Sequence, residues 1–453
     1  MSESKGSGFQ RKRIGDVPEE WDIEALGGIA VRIQDGTHFS PQTEGGPCRY
    51  VTSKNIRFGS MELETCGWIS EAEHRNIYAR CPVQFGDVLL TKDGANTGNA
   101  ALNKLHEPFS MLSSVALIRL DDKRFINSYL LHYLLSARCQ QRLKDLMSGN
   151  AITRLTLQKI NAFEVPFPDD PAEQRRIAEI LDTADEAIQK TEALIAKLKQ
   201  MKAGLLHDLL TRGIDENGFD DPTNDYRRFA FAPSTKEDAN WEAVTVRQLM
   251  ERGIISKVQD GNHGEKHPKA ADFVPEGIPF LMANDLKNGR VDFNECHFIR
   301  REQYEGLRIG FAKPRNVLLS HKGTIGQTAI VPEDRPDVML TPQVTYYAIT
   351  KEAELIPEFL MYWFQSRWFK RQFSILSEQS TRKFLGITGQ RDLQVLLPPH
   401  DDQQFIVDRV KSLDDRITRE SEVLTKQKLL KAGLMHDLLT GKKRVNQPAV
   451  ATA

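Results

Sequence analysis

Apolar residues recur at heptad spacing through two long stretches of this chain. In the first, Ile177, Ala184, Thr191, Leu198 and Leu205 fall seven apart, and Leu181, Ile188 and Ile195 fill the alternate positions. In the second, Ile406, Leu413 and Leu434 share one position and Val410, Ile417 and Leu424 the other, with Glu420 and Gln427 interrupting the seam. Such a stripe predicts a helix that buries one edge against a partner helix. About 40 residues at 1.5 Å each make a rod of roughly 60 Å. Each rod has a partner in the other, so the pattern predicts an antiparallel coiled coil. The alternative is that each stripe packs on its own globular neighbour.

The two stretches are copies of one another. Lys202 to Thr211 reads KAGLLHDLLT and Lys431 to Thr440 reads KAGLMHDLLT, in a chain of 453 residues. Gap-free similarity starts at Pro171 and His400, placing Glu173-Gln174 on Asp402-Gln403, Ile177 on Ile406 and Gly204 on Gly433. Upstream the agreement weakens but keeps its shape. Asp35-Gly36-Thr37-His38 answers Asp260-Gly261-Asn262-His263, Lys54-Asn55 answers Asn284-Asp285, and Val88-Leu89-Leu90 answers Val317-Leu318-Leu319. A repeat at half the chain length makes the molecule two copies of one unit with a pseudo-twofold relation.

Ahead of each rod the pattern changes to that of mixed α/β structure. Short apolar runs such as Val88-Leu89-Leu90 and Val115-Ala116-Leu117-Ile118 are bounded by Gly, Asp and Asn, as strands are. Phe125 to Leu146 and Pro357 to Leu376 carry large apolar residues three and four apart and predict helices. Glu164 to Pro168 and Gln394 to Pro399 predict short strands that proline ends. The predicted class is α+β: two mixed α/β heads separated by two long helices. The expected segments are a head over 1–170, a helix over 171–212, a polar linker over 213–235, a second head over 236–399, a helix over 400–441 and a disordered tail over 442–453.

Composition narrows the class without naming a ligand. Hydrophobic residues are 40% and charged residues 27% of the chain, as in a globular protein. No apolar run reaches the ~18 residues of a membrane span. Five scattered cysteines without a CxxC pair fit free thiols in a reducing cytoplasm, the expected location. The net charge of −1 is not the basic footprint of a nucleic-acid binder, so any such case rests on local charge.

Catalytic signatures are missing. The sequence holds no GxxxxGK[ST] loop, no HExxH, no GxSxG and no Asn-Pro-Pro-aromatic stretch. Local charge points to nucleic acid instead. Arg138, Arg142, Lys144, Arg154 and Lys159 cluster in the first half, and Arg367, Lys370, Arg371, Arg382, Lys383 and Arg391 cluster at the matching place in the second. A solvated helix face explains one such patch; recurrence favours phosphate neutralisation. The turns Asp35 to His38 and Asp260 to His263 combine a tight glycine with groups able to reach a base edge or phosphate. Lys54, Asn55, Asn284 and Asp285 are candidates for the same task, with a turn or cap role as the alternative. Lys92, His321 and Lys322, just after the Val-Leu-Leu runs, complete the DNA-facing candidates together with Arg154, Arg382 and Lys383.

Taken in order, the duplicated Asp-Gly-[Thr/Asn]-His turns, the Val-Leu-Leu segments with their glycine turns, the proline exits and the GL[LM]HDLLT helix ends resemble the DNA-specificity subunits of type I restriction–modification systems. The resemblance covers nearly the whole chain. It implies two target-recognition domains, each reading one half of a split asymmetric double-stranded DNA site, with the rods fixing the spacer between the halves. It implies no active site, metal or cofactor on this chain. Two modification subunits that bind S-adenosylmethionine and methylate adenine would dock on the rods, and restriction subunits that use ATP and Mg would join them. The competing expectation is a DNA methyltransferase or nuclease with an active site of its own.

Overall fold

The computed structural model describes residues 9–12, 15–43, 45–147, 154–212, 241–264, 266–335, 337–377 and 384–445. Contacts divide the chain into two units, residues 1–192 with 422–453, and residues 193–421. This division cuts across the head-then-rod order of the sequence. Each unit holds one head and about half of both long helices.

In the first unit an antiparallel sheet runs in the order Ala30–Asp35, Val115–Leu120, Val88–Thr91 and Ala100–Leu102. Its strands are continuous apolar runs because both faces are covered. Val88, Leu90, Ala116 and Ile118 turn to the helical core, and Leu89, Leu117 and Ala101 turn to a second cluster with Val51 and Phe109. The second unit repeats the plan with Ile255–Asp260, Val344–Ile349, Val317–Ser320 and Thr328–Ile330. A smaller sheet flanks each: Gly67–Ile69, Cys48–Val51 and Ser110–Met111 in one unit, and four short strands around Ile278–Leu281 and Val338–Leu340 in the other. The strands Glu164–Pro168 and Gln394–Leu397 pair with Trp21–Ala25 and Glu242–Thr245.

The helices expected over Phe125–Leu146 and Pro357–Leu376 are each broken in two. They form Asn127–Leu135 with Ala137–Met147, and Pro357–Gln365 with Arg367–Ser377. The break falls at Ser136 and Ser366, both extended, whose hydroxyls accept from the Cys139 and Phe369 amides at 3.2 and 3.1 Å. Serine here caps a new helix instead of continuing the old one.

The long helices span Pro171–Arg212 and His400–Leu439. Asp170 opens the first by accepting from the Ala172 amide at 2.9 Å, with proline at the first helical position. Each is tied to its head by a buried glutamine. Gln174 accepts from the Ile126 amide at 3.0 Å and donates to the Arg124 and Pro168 carbonyls at 3.1 and 3.0 Å. Gln403 accepts from the Ile356 amide at 2.9 Å and donates to the Glu354 and Pro398 carbonyls, both at 2.9 Å.

Within the first unit the two helices run antiparallel. Lys428 pairs with Glu192 at 2.7 Å and, further along its helix, Lys431 pairs with Asp185, earlier in the other. In the second unit Lys202 pairs with Asp414 at 2.7 Å. The ends of both stripes enter globular cores. Ile177 and Leu181 join Tyr129 and Phe125, while Leu438 and Leu439 join the same cluster beside Trp21. Leu206, Leu209 and Leu210 likewise join Trp241 and Val244. The start of the expected disordered tail is placed: Arg444 forks onto Glu173, with a 2.7 Å contact, and also reaches Glu20. The linker over 213–235 and the tail from 446 lie outside the described residues. All five cysteines are free thiols. No described helix is long and apolar enough to cross a membrane.

The glutamine tie generates a test. Gln174→Leu removes the partner of the Ile126 amide, the part-buried Arg124 carbonyl and the buried Pro168 carbonyl, which costs on the order of 2–4 kcal/mol. Urea denaturation of the full chain measures it, and a loss below about 1 kcal/mol would show the tie to be dispensable.

Candidate nucleic-acid interface

Each large sheet ends in a loop-rich edge, and the candidate residues gather there. In the first unit the Ser53 amide donates to the Ser114 hydroxyl at 3.2 Å, and Asn96 donates to the Ser53 carbonyl at 3.4 Å. The Lys92 amide donates to the Ser114 carbonyl at 2.9 Å, and its carbonyl accepts from Leu155 at 2.8 Å. Four segments, around Lys54, Lys92, Ser114 and Arg154, therefore share one edge. The second unit joins the matching segments through a 2.9 Å bond from Thr324 to Asn284 and another from the His321 amide to the Gln343 carbonyl.

Within this edge many candidates hold the loops instead of facing out. Asp35 is buried, and Lys92 Nζ and an Arg80 nitrogen lie 3.3 Å from it, with His38 Nε2 at 3.4 Å. Lys92 is only 1% exposed, and its charge is spent on Asp35. Gly36 is required by proximity: a Cβ there would sit 1.9 Å from the Met111 carbonyl oxygen, and one at Gly261 would sit 2.0 Å from that of Thr341. Thr37 is buried and its amide donates to Met111 at 2.8 Å. Asn262 is buried too, and its side-chain amide nitrogen has no partner. Asp260 is half-buried, and His38 and His263 are the exposed members of the two turns.

Asn55 and Asp285 make the loop-holding bonds of the turn-or-cap alternative. Asn55 accepts from the Thr52 amide at 2.9 Å and donates to the Glu62 carbonyl at 3.1 Å. Asp285 accepts from the Met282 amide at 2.7 Å, and burial raises its pKa. Their neighbours Lys54 and Asn284 are exposed. His321 occupies the place of Lys92 but is neutral: burial, with help from Lys322, lowers its pKa to about 4, and its Nδ1 meets the Thr345 hydroxyl at 2.9 Å. Lys322 itself is exposed. Arg154 is half exposed and lies 3.6 Å from Asp93. Arg382 and Lys383 lie outside the described residues.

The basic clusters also contain tethers. Arg142 donates to the Tyr133 hydroxyl at 2.6 Å and the Glu164 carbonyl at 2.9 Å while covering Phe163. Lys159 donates to the Leu146 carbonyl at 2.6 Å, at a helix end.

Two heads on one plan, each with a loop edge of different exposed chemistry, agree with the family comparison. The type I restriction modification DNA specificity domain matches residues 18–200 and again residues 241–427. The chain belongs to this family. The type I restriction enzyme MjaVIII specificity subunit of Methanocaldococcus jannaschii is 24% identical over 437 residues, 95% of this chain and 94% of that one. The MjaIX specificity subunit of the same organism is 22% identical over 456 residues, 97% of each chain. The S subunit of a type I restriction–modification system from M. genitalium shares the fold, with a TM-score of 0.56 at 14% identity over 94% of this chain and 97% of that one.

One charged residue at this edge, Arg80, carried no signal in the sequence. Arg80 ends the helix Glu71–Arg80, and its side chain is 48% exposed beside Asp35. Because Lys92 already balances Asp35, Arg80 brings surplus positive charge to the edge. Its 45-residue sequence distance from Asp35 hides the pairing.

Two outcomes follow. Lys92→Met leaves Asp35 buried with weaker partners and destabilises the chain by up to about 3–5 kcal/mol, less whatever Arg80 and His38 retain. Adding Asp35→Asn recovers much of that loss in a double-mutant cycle, and additive losses would refute the pairing. For His321 the folded pKa is depressed, so the unfolded chain binds the extra proton. Stability falls as pH drops from about 6.5 towards about 4, and His321→Gln flattens that part of the profile in urea titrations.

Proposed function

We propose that this chain is the DNA sequence-specificity subunit of a type I restriction–modification complex, and that each head reads one half of a bipartite site. The observation that carries the reading is the duplicated loop edge. Its buried supports occupy matching places, while its exposed residues differ: Lys54 against Asn284, and Arg154 against Phe384. A shared support with dissimilar readers suits two different half-sites. His38, Lys54, Arg80 and Arg154 would serve the first, and His263, Asn284 and Lys322 the second, through phosphate and base-edge contacts.

The antiparallel helices would carry the spacing between half-sites and offer equivalent surfaces to two modification subunits. On this reading the chain is non-catalytic, and S-adenosylmethionine, ATP and Mg belong to the modification and restriction partners. Methylation or cleavage of DNA by the purified chain alone would overturn it.

The spacing claim has a direct test. Four residues added to each helix lengthen it by about 6 Å, close to two base pairs of DNA at 3.4 Å each. A genome-wide map of methylated adenines should show a longer spacer between unchanged half-sites. An unchanged spacer in a folded, active variant would sink the idea. In the same assay Arg80→Ala should weaken or relax only the first half-site.

A further inference from the structure

One difference between the two copies concerns a lysine that lines a cavity in the second unit. In the first unit Lys428 is neutralised by Glu192 at 2.7 Å. Its counterpart in the other copy is Lys199, but the counterpart of Glu192 is Ser421, whose hydroxyl donates to the Ile417 carbonyl at 2.7 Å. Lys199 therefore loses the carboxylate that the repeat would supply. It lines a cavity of about 240 Å³ together with Lys202, Lys370, Thr328 and Gln365. No aspartate or glutamate is among the lining residues.

Lys202 is engaged, with Asp414 at 2.7 Å and the Gln365 amide oxygen at 2.8 Å. Gln365 in turn donates to the buried Thr328 hydroxyl at 2.9 Å. Lys199 and Lys370 have no carboxylate partner among the described residues. Burial, and the like charge of Lys370, lower the Lys202 pKa against the pull of Asp414. The site thus holds two uncompensated ammonium groups, a third behind them, and amide and hydroxyl groups at the wall. In the first unit Gln140 stands where Lys370 stands here, so this concentration of charge is particular to one copy.

We propose that this cavity binds a phosphoryl anion, a phosphate or diphosphate group held by Lys199 and Lys370. Lysine is a point-charge partner for phosphate and needs no planar fork. A phosphate of that kind comes either from a small molecule or from a nucleic-acid backbone.

Calorimetric titration of the full chain with inorganic pyrophosphate at constant ionic strength tests the proposal. One saturable site is expected. Ser421→Glu, which restores the acid of the other copy, should weaken it tenfold or more, and Lys370→Gln should weaken it similarly while leaving the melting temperature unchanged. A short DNA duplex that displaces pyrophosphate assigns the site to the backbone, and one that does not assigns it to a small molecule. No binding above a chloride-matched control, or equal affinity in both variants, overturns the proposal. The titration contains no specific DNA site, so its failure leaves the specificity-subunit reading untouched.

Discussion

Everything in this molecule hangs on how a long helix leaves a head, and a buried glutamine decides that. Gln174 and Gln403 each join three backbone groups: an amide at the start of a head helix, a carbonyl just before it, and the carbonyl of the proline that ends the last strand. The amide side chain suits the task because it donates and accepts at once. A carboxylate would lose the donors and a hydrocarbon would leave all three groups unsatisfied, so few other residues fill the position. With the exit fixed, the heptad stripe begins in a set phase: Ile177 follows Gln174 by three residues, Ile406 follows Gln403 by three, and both are fully buried.

That phase explains why the far ends of the helices are nearly identical. Leu209 and Leu210 enter a core with Trp241, and Leu438 and Leu439 enter one with Trp21. The end of each helix completes the head that its own helix did not come from. Both ends meet a similar socket, a tryptophan at the start of a short strand or just before it, so one decapeptide serves twice. The lysine that opens each decapeptide adds the same clasp, Lys202 to Asp414 and Lys431 to Asp185. A repeat that looks like a signature of partner docking is first a signature of mutual closure.

Much of this was legible in the sequence, and the rest was hidden for identifiable reasons. Strands such as Val88–Thr91 and the helix Pro171–Arg212 follow from periodicity, which one chain displays in full. The serine breaks at 136 and 366 were masked because apolar spacing continues across them. The orientation of polar residues was the larger gap. Asp35, Lys92, Asn55 and His321 have the chemistry of DNA contacts and the burial of a core. Sequence reports the functional groups but not their partners, and two partners of Asp35 lie 45 and 57 residues away, at Arg80 and Lys92.

The two heads carry this distinction into function. Under one loop edge sits an ion pair between Asp35 and Lys92; under the other, a neutral hydrogen bond between His321 and Thr345. A buried ion pair is directional only if its geometry is held, and it leaves a residual field when a third charge such as Arg80 is attached. A neutral pair leaves no such field. The loops above the two supports therefore start from different electrostatic potentials before any exposed side chain is counted. Two heads of one ancestry can diverge in what they read by exchanging residues that never touch the ligand, and the Asp35–Lys92 and His321–Thr345 pairs are where that exchange is visible.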